Sequence, residues 1–343
     1  MAEFVGLDVS KDTTAICVKD VGGRVLAEKS VETCPQAIFE ALRAHCDCPE
    51  RIVLETGSQS GWLHRELVKR GLPVVLVDAR QAHAVMKLQH NKTDANDAAL
   101  LAELARTGFY RGVATKSVAA HEARALLKAR DLLVRQRRDI DNTIRGLLRS
   151  FGLRLPTGKG RFVLRIKELI ADRPELAQVI EPLLSGRVAL IAALEKLDDR
   201  VEEQAKRSPT CRLLMTAPGV GPVTSLAFAA TIDDPTRFSR SQSVGAYVGL
   251  TARRYQSGKI DVSGRISKMG DAMIRRYLYE AAQNLMCVAR RACPLKSWAN
   301  KLKKRLGHKK ACVALARKLA VVLHRMWLTG EPFRWPSKAE AVA

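Results

Sequence analysis

The first hundred residues place short apolar runs between turn residues, at a spacing that predicts strands interleaved with helices. Phe4-Val5-Gly6-Leu7-Asp8-Val9 reads as a strand ending in an acid, and Thr13 to Val18 reads as a second. The Gly22-Gly23 turn leads to a third, from Arg24 to Glu28. A helix is expected from about Pro35 to His45, then a short buried strand, Arg51-Ile52-Val53-Leu54-Glu55, that also ends in an acid. Helix Gly61 to Lys69, strand Pro73 to Val77 and a helix from Ala79 to about Leu88 follow, before an Ala/Leu-rich helical run at Ala98 to Leu104. This order predicts a mixed sheet with helices on its faces, an α/β N-terminal domain.

From Val118 the apolar period becomes helical. Between His121 and Phe151 apolar residues recur at 126, 133, 140 and 147, supported by 144 and 151, which makes one seven-residue seam. A Pro/Gly/basic break at 152–160 precedes two further helices, Arg161 to Ala171 and Glu175 to Ala205. Leu190, Leu194, Leu197 and Val201 form a stripe on the second. The pair predicts a coiled-coil connector, which either packs on the 121–151 helix or meets a second copy of the chain. Further on, Pro218-Gly219-Val220-Gly221 separates a helix end from a new helix. That is the pattern of a helix-hairpin-helix, in which Gly219 and Gly221 let amides approach a phosphate, or of a plain αα-hairpin turn. The stretch from Phe238 to Leu278 reads as a small-residue, cation-flanked loop between helices. The expected divisions are 1–117, 118–207, a mainly α 208–330 and a tail at 331–343.

Charge sharpens this picture. The formal net charge is +23 over 343 residues, and it is carried by the later part of the chain. Residues 1–100 hold 12 Lys/Arg and 14 Asp/Glu, whereas 281–330 hold 12 Lys/Arg and no acid. Such asymmetry points to a polyanion, nucleic acid before any other. Eight arginines and lysines crowd the 121–151 helix, favouring a nucleic-acid face there too. The eight cysteines show no CxxC pair and no histidine at zinc spacing, which fits a reducing cytosol better than a disulfide scaffold. No stretch reads as a transmembrane run, so no membrane partner is expected.

The candidate chemistry centres on Lys92-Thr93-Asp94-Ala95-Asn96-Asp97-Ala98. Asp94 and Asp97 are three apart and share a face at a helix start. Acids are favoured there by the helix dipole alone, but a close pair also suits a Mg²⁺ ion. Asp8 and Glu55 end buried strands, where catalytic groups commonly sit. Asp8 has the alternative of capping the turn at Ser10-Lys11, and Glu55 of pairing with a base. Together, Asp8, Glu55, Asp94 and Asp97 in this strand order resemble a ribonuclease-H/RuvC nuclease core, a two-metal arrangement. Ser257, in Arg253-Arg254-Tyr255-Gln256-Ser257-Gly258, is a turn or cap residue on chemistry alone. Arg253, Arg254, Lys259, Arg265 and Lys268 around it, and Arg275 and Arg276 beyond, are candidate phosphate contacts.

Across nearly all its length the chain resembles the bacterial insertion-sequence transposases with a DEDD, RuvC-like N-terminal domain and a C-terminal serine-bearing domain, the bridge-RNA-guided recombinases. The marks are Gly6-Leu7-Asp8, Glu55-Thr56-Gly57, the Lys92–Ala98 segment, Pro218-Gly219-Val220-Gly221, Tyr247-Val248-Gly249-Leu250, Arg253–Gly258 and Ile266-Ser267-Lys268-Met269-Gly270. The resemblance implies that Asp8, Glu55, Asp94 and Asp97 hold Mg²⁺, with Mn²⁺ as a substitute, and that Ser257 is the nucleophile. It implies DNA at the element ends and target, a structured guide RNA, and a homodimer or tetramer with a site shared between protomers. A metal-only RuvC-like nuclease or junction resolvase, and a non-catalytic nucleic-acid-binding protein, are the alternatives.

Overall fold

The computed structural model describes residues 2–87, 91–155, 161–289, 291 and 293–335. They form two compact units, 1–116 and 117–343. In the first, β1 (Glu3–Val9), β2 (Thr13–Asp20) and β3 (Val25–Glu32) make an antiparallel meander. After α1 (Pro35–His45), β4 (Pro49–Glu55) adds parallel to β1. Then α2 (Ser60–Lys69) leads to β5 (Val74–Val77), parallel to β4, for a strand order of 3-2-1-4-5. The third strand runs four residues beyond its expected end, because pairing with β2 carries its largely exposed chain to Glu32.

Strand alternation sorts the core. Val5, Leu7, Ile16, Val18, Ile52 and Leu54 pack with Ile38 and Leu42 of α1 and Leu63 and Leu67 of α2. The alternate residues face the other way, onto α3 (Ala79–Met86) and α4 (Asp94–Thr107). Leu88, the expected end of α3, lies outside the described residues. Helix α4 begins four residues before the apolar run starts, because Thr93 caps it by accepting a hydrogen bond from the Asn96 amide at 3.2 Å. It ends at Gly108, in the left-handed conformation (φ 66°).

In the second unit the long α5 (Val118–Ser150) and α7 (Pro174–Arg207) pack on one another, with the short α6 (Phe162–Ile170) between them in sequence. The connector therefore packs within the chain. At one end Ile144 and Leu148 meet Ile166, Ile170, Leu176, Ile180 and Leu184. Midway the interface is ionic: Arg130 pairs with Asp198, and Arg187 pairs with Asp141 at 2.5 Å. The buried stripe of α5 is Ala120, Ala123, Leu127, Ile144 and Leu148, one residue off the 126/133/140/147 seam, whose members are half-buried at its flank. By length and composition alone α7 is long and apolar enough to cross a membrane, with a window of mean hydropathy 1.4, and in this fold it packs on α5.

The rest of the unit shares one core with the start of α5 and the end of α7, so no break in packing marks residue 207. That core is built by α8 (Pro209–Leu214), α9 (Pro222–Ile232), α10 (Gln242–Tyr247), α11 (Ala272–Cys287), α12 (Pro294–Leu306) and α13 (His308–Thr329). Between α10 and α11 the chain forms an antiparallel hairpin, β6 (Ala252–Ser257) and β7 (Ile260–Ile266), where a loop was expected. Residues 156–160 of the expected break and 336–343 of the tail lie outside the described residues.

A β-carbon at Gly6 would stand 2.0 Å from the Ala98 carbonyl oxygen and 2.3 Å from the Ala102 amide nitrogen, so α4 can lie where it does only against a glycine. Gly6→Ala is expected to cost about 3 kcal/mol or more, a fall of roughly 10 °C or more in melting temperature. Gly57→Ala, where a β-carbon meets nothing within 4 Å, is the control. Equal, small shifts for both in thermal denaturation would show that this contact does not hold α4.

Candidate functional site

The same alternation that builds the sheet places the acids. Phe4, Gly6 and Asp8 of β1, and Val53 and Glu55 of β4, point to the face covered by α4. Leu7 pairs with Leu54, so Asp8 and Glu55 come next on neighbouring parallel strands, at their carboxyl ends. On α4, Asp97 precedes Ala98, the residue whose carbonyl lies against Gly6, and is itself buried at 7% exposure. Asp94 sits one turn earlier, exposed at the helix start. Asn96 reaches back to donate to the Asn91 carbonyl at 3.1 Å, tying the segment before the helix to its first turn. The letters of this motif that carry no charge thus fix the position of those that do.

Asp8 and Glu55 feel the carboxylates around them. Burial, and then the charges of Asp97, Asp94 and Glu55, push the Asp8 carboxyl up to about 6, with Lys92 opposing. Burial and then Asp97 raise Glu55, against His83 and Lys92. Among the described residues none of the four carboxylates accepts a hydrogen bond or stands in an ion pair. The turn after β1 is closed instead by the Ser10 hydroxyl, which donates to the Thr13 carbonyl at 2.6 Å, so Asp8 is not its cap. Glu55 likewise has no base within ion-pair distance among the described residues. Half-buried carboxylates without partners are costly to ionise, and a cation is the chemistry that compensates them. As placed, no three His, Cys, Asp or Glu side chains among the described residues enclose a single ion. The donor set fits a hard cation that takes much of its shell from water and substrate oxygens, as Mg²⁺ does.

One residue of this site escaped the sequence reading: His83, on α3, which faces Glu55 together with Lys92. Both line a cavity of about 250 Å³ with Met86, Lys87, Asn91 and Asp97. Lys92 stood inside the quoted motif, whereas nothing local marks His83.

Ser257 belongs to the second unit. It ends β6 and pairs with Ile260 across a two-residue turn, in which Gly258 takes φ 54°. The base of the hairpin is clasped by two glycines. A β-carbon at Gly249 (φ 72°) would lie 2.0 Å from the Met269 carbonyl oxygen, and one at Gly270 (φ 90°) 2.1 Å from that of Tyr247. Between them Lys268 donates to the Gly249 carbonyl at 3.1 Å, and Ser267 to that of Thr251 at 2.7 Å. Every residue of β6 is exposed. By the pairing register Ser257 shares a face with Tyr255, Val262 and Ile260, large side chains left at 66%, 56% and 56% exposure.

The candidate phosphate contacts divide. Arg254 forms a two-pronged ion pair with Asp261, Arg276 pairs with Asp131, and Arg275 donates to the carbonyls of Val248, Gly270 and Asp271. Arg253 donates to the Ser267 carbonyl at 3.3 Å, while Lys259, Arg265 and Lys268 are exposed on or beside the hairpin. Gly219 (φ 80°) serves packing, since a β-carbon there would lie 2.5 Å from the Ala281 carbonyl oxygen, whereas Gly221 opens onto free space. On α5, Arg124 pairs with Asp271 and Arg130 with Asp198, so part of its arginine excess holds the fold together.

Two family profiles match the chain. A DEDD transposase-domain profile, described as "Transposase", covers residues 5–152, and one described as "Transposase IS116/IS110/IS902 family" covers 211–296. The transposase for insertion sequence element IS1111A of Coxiella burnetii is 30% identical over 339 residues, 97% of this chain and 91% of that protein. A probable family 20 transposase of Pseudomonas aeruginosa is 26% identical, over 93% of this chain and 95% of its own length. The transposase for insertion sequence element IS1328 of Yersinia enterocolitica is 27% identical, over 92% and 94%.

A carboxyl raised by folding contributes stability that is present at low pH and lost as pH rises through its folded value. For Asp8 that loss spans the interval from its ordinary value of 3.8 up to about 6. In EDTA, Asp8→Asn is therefore expected to melt above the unaltered chain at pH 7.5 and level with it near pH 4. A constant difference across that range in melting curves would mean that the carboxylates are not coupled.

Proposed function

From the premise that the chain belongs to the IS116/IS110/IS902 transposases, and is therefore a DNA-processing enzyme, we propose that it excises and inserts its insertion-sequence element through a covalent serine–DNA intermediate. The observation that carries this reading is the convergence of Asp8, Glu55, Asp94 and Asp97, unpartnered among the described residues, at one end of the sheet. The strand order 3-2-1-4-5, with an antiparallel meander and parallel additions, supports a RuvC/ribonuclease-H-like core for the first unit.

In this reading the four carboxylates hold Mg²⁺ or Mn²⁺, which when bound supplies positive charge to the phosphate and to the leaving oxygen. The Ser257 hydroxyl attacks phosphorus. The Oγ–P bond forms as the P–O3′ bond breaks, and the hydroxyl proton ends on the released 3′ oxygen. Attack by a 3′ hydroxyl of the partner strand reverses these changes and restores a phosphodiester without net hydrolysis. Exposure of Ser257 at a hairpin tip suits it to reach a phosphate brought from outside its own unit. The family resemblance adds a guide RNA that pairs with donor and target, and a dimer or tetramer in which carboxylates of one protomer serve the serine of another. A metal-only nuclease would need the carboxylates and not the serine.

Two measurements test the reading. Millimolar Mg²⁺ is expected to raise the melting temperature more at pH 7.5 than at pH 5, and Asp8→Asn to lose most of that gain. An unchanged response in the variant would remove the acids as ligands. With the element's RNA, Mg²⁺ and nicked element-end DNA that cannot religate, the unaltered chain is expected to give a denaturant-resistant protein–DNA band that Ser257→Ala lacks. Cleavage by both, with no such band, would leave a metal-dependent nuclease.

A further inference from the structure

The fold employs some of its cations in ion pairs and leaves others over. Arginines of α5, α7 and α11 are drawn into ion pairs: Arg124 with Asp271, Arg130 with Asp198, Arg187 with Asp141 and Arg276 with Asp131. At the corner where α12 turns into α13 the situation is reversed. Lys301, Lys303, Lys304, Arg305, Lys309 and Lys310 are all exposed, and among the described residues none of their side chains has an ion-pair partner. The corner is made by Gly307 (φ 78°), which ends α12 and begins α13. It is firmly seated, because Leu295 and Ala299 of α12 and Ala311, Cys312 and Leu315 of α13 are buried in the main core.

Folding accounts for only part of this charge. Lys303, Lys304 and Arg305 occupy the last turn of α12, where cations complement the helix dipole. Lys309 and Lys310 occupy the first turn of α13, where the same dipole disfavours them, and no acid occurs in that turn. A solvated surface normally mixes both signs, yet residues 281–330 contain no acid to offset the six.

We infer that the Lys301–Lys310 corner is a docking surface for the phosphate backbone of duplex DNA. The inference rests on the transposase reading for the identity of the polyanion and on charge complementarity for its place. Contact there is with phosphates and without sequence preference, so the corner holds the duplex while other parts of the protein choose the site.

The test is a salt titration of a labelled 40-bp duplex with the full chain, read by fluorescence anisotropy. Neutralising Lys303, Lys304, Lys309 and Lys310 to Gln is expected to lower the slope of log K against log[KCl] by about 3 to 4, since each phosphate contact contributes about 0.9. Affinity at 0.1 M KCl should fall at least about a hundredfold. A charge-matched control, Lys69→Gln, Arg80→Gln, Lys206→Gln and Arg207→Gln, changes residues held by Glu66, Asp78, Glu202 and Glu203. It is expected to move the slope by less than about 1. Equal changes in the two variants, or none in the first, would overturn the surface while leaving the transposase reading intact. A slope loss seen with a structured RNA and not with the duplex would overturn its assignment to DNA. If the unaltered chain bound no duplex at all, the DNA surface would fall, and the function proposed above would be separately in question.

Discussion

Helix α4 lies against β1 with no room for a side chain at Gly6, and the acidic site depends on that contact. Because side chains alternate along β1, Asp8 emerges on the same face two residues on. Because Ala98 is the residue pressed on the glycine, Asp97 stands next to the strand end. A helix held farther away by one methyl group would separate the carboxylates and relieve the burial, and then the repulsion, that raise Asp8. The close approach and the electrostatic cost have one origin.

The second unit uses glycine in a related way for another purpose. Gly249 and Gly270 each sit where a β-carbon would meet a backbone carbonyl of the opposite segment. Their clasp fixes the two ends of a hairpin whose strands are exposed along nearly all their length. A two-stranded hairpin alone is marginal in water, and its exposed Tyr255, Ile260 and Val262 leave apolar area unused beside Ser257. The close backbone contacts lie at the base of the hairpin, and Ser257 stands exposed at its tip.

Charge serves two ends in the same helical unit. Half-buried pairs such as Arg187–Asp141 join α5 to α7 in the middle of their contact, where apolar residues are few, and they favour one register over others. A dense group of cations without ion-pair partners among the described residues lies instead at the end of α12 and the start of α13, outside the packed surfaces. Counting arginines along α5 therefore overstates the surface available to a polyanion, since Arg124 and Arg130 are bound to Asp271 and Asp198.

Local pattern was enough to determine the strand and helix order of the first unit, the acids at the ends of β1 and β4, the helical connector and the basic bias of the later chain. These follow from periodicity of two or 3.6 residues and from composition, which are properties of neighbours in sequence. Tertiary structure alone decided the rest. It made Phe238 to Leu278 include a hairpin, because its strands are exposed and show no apolar alternation to mark them. It moved the α5 seam by one residue, where Arg130 and Asp141 of α5 pair with Asp198 and Arg187 of α7 in the ionic middle. It brought His83 to the carboxylates and consumed Arg124, Arg130 and Arg276 in ion pairs. Each of these depends on which distant segment arrives opposite a residue, and the sequence around that residue carries no record of its partner.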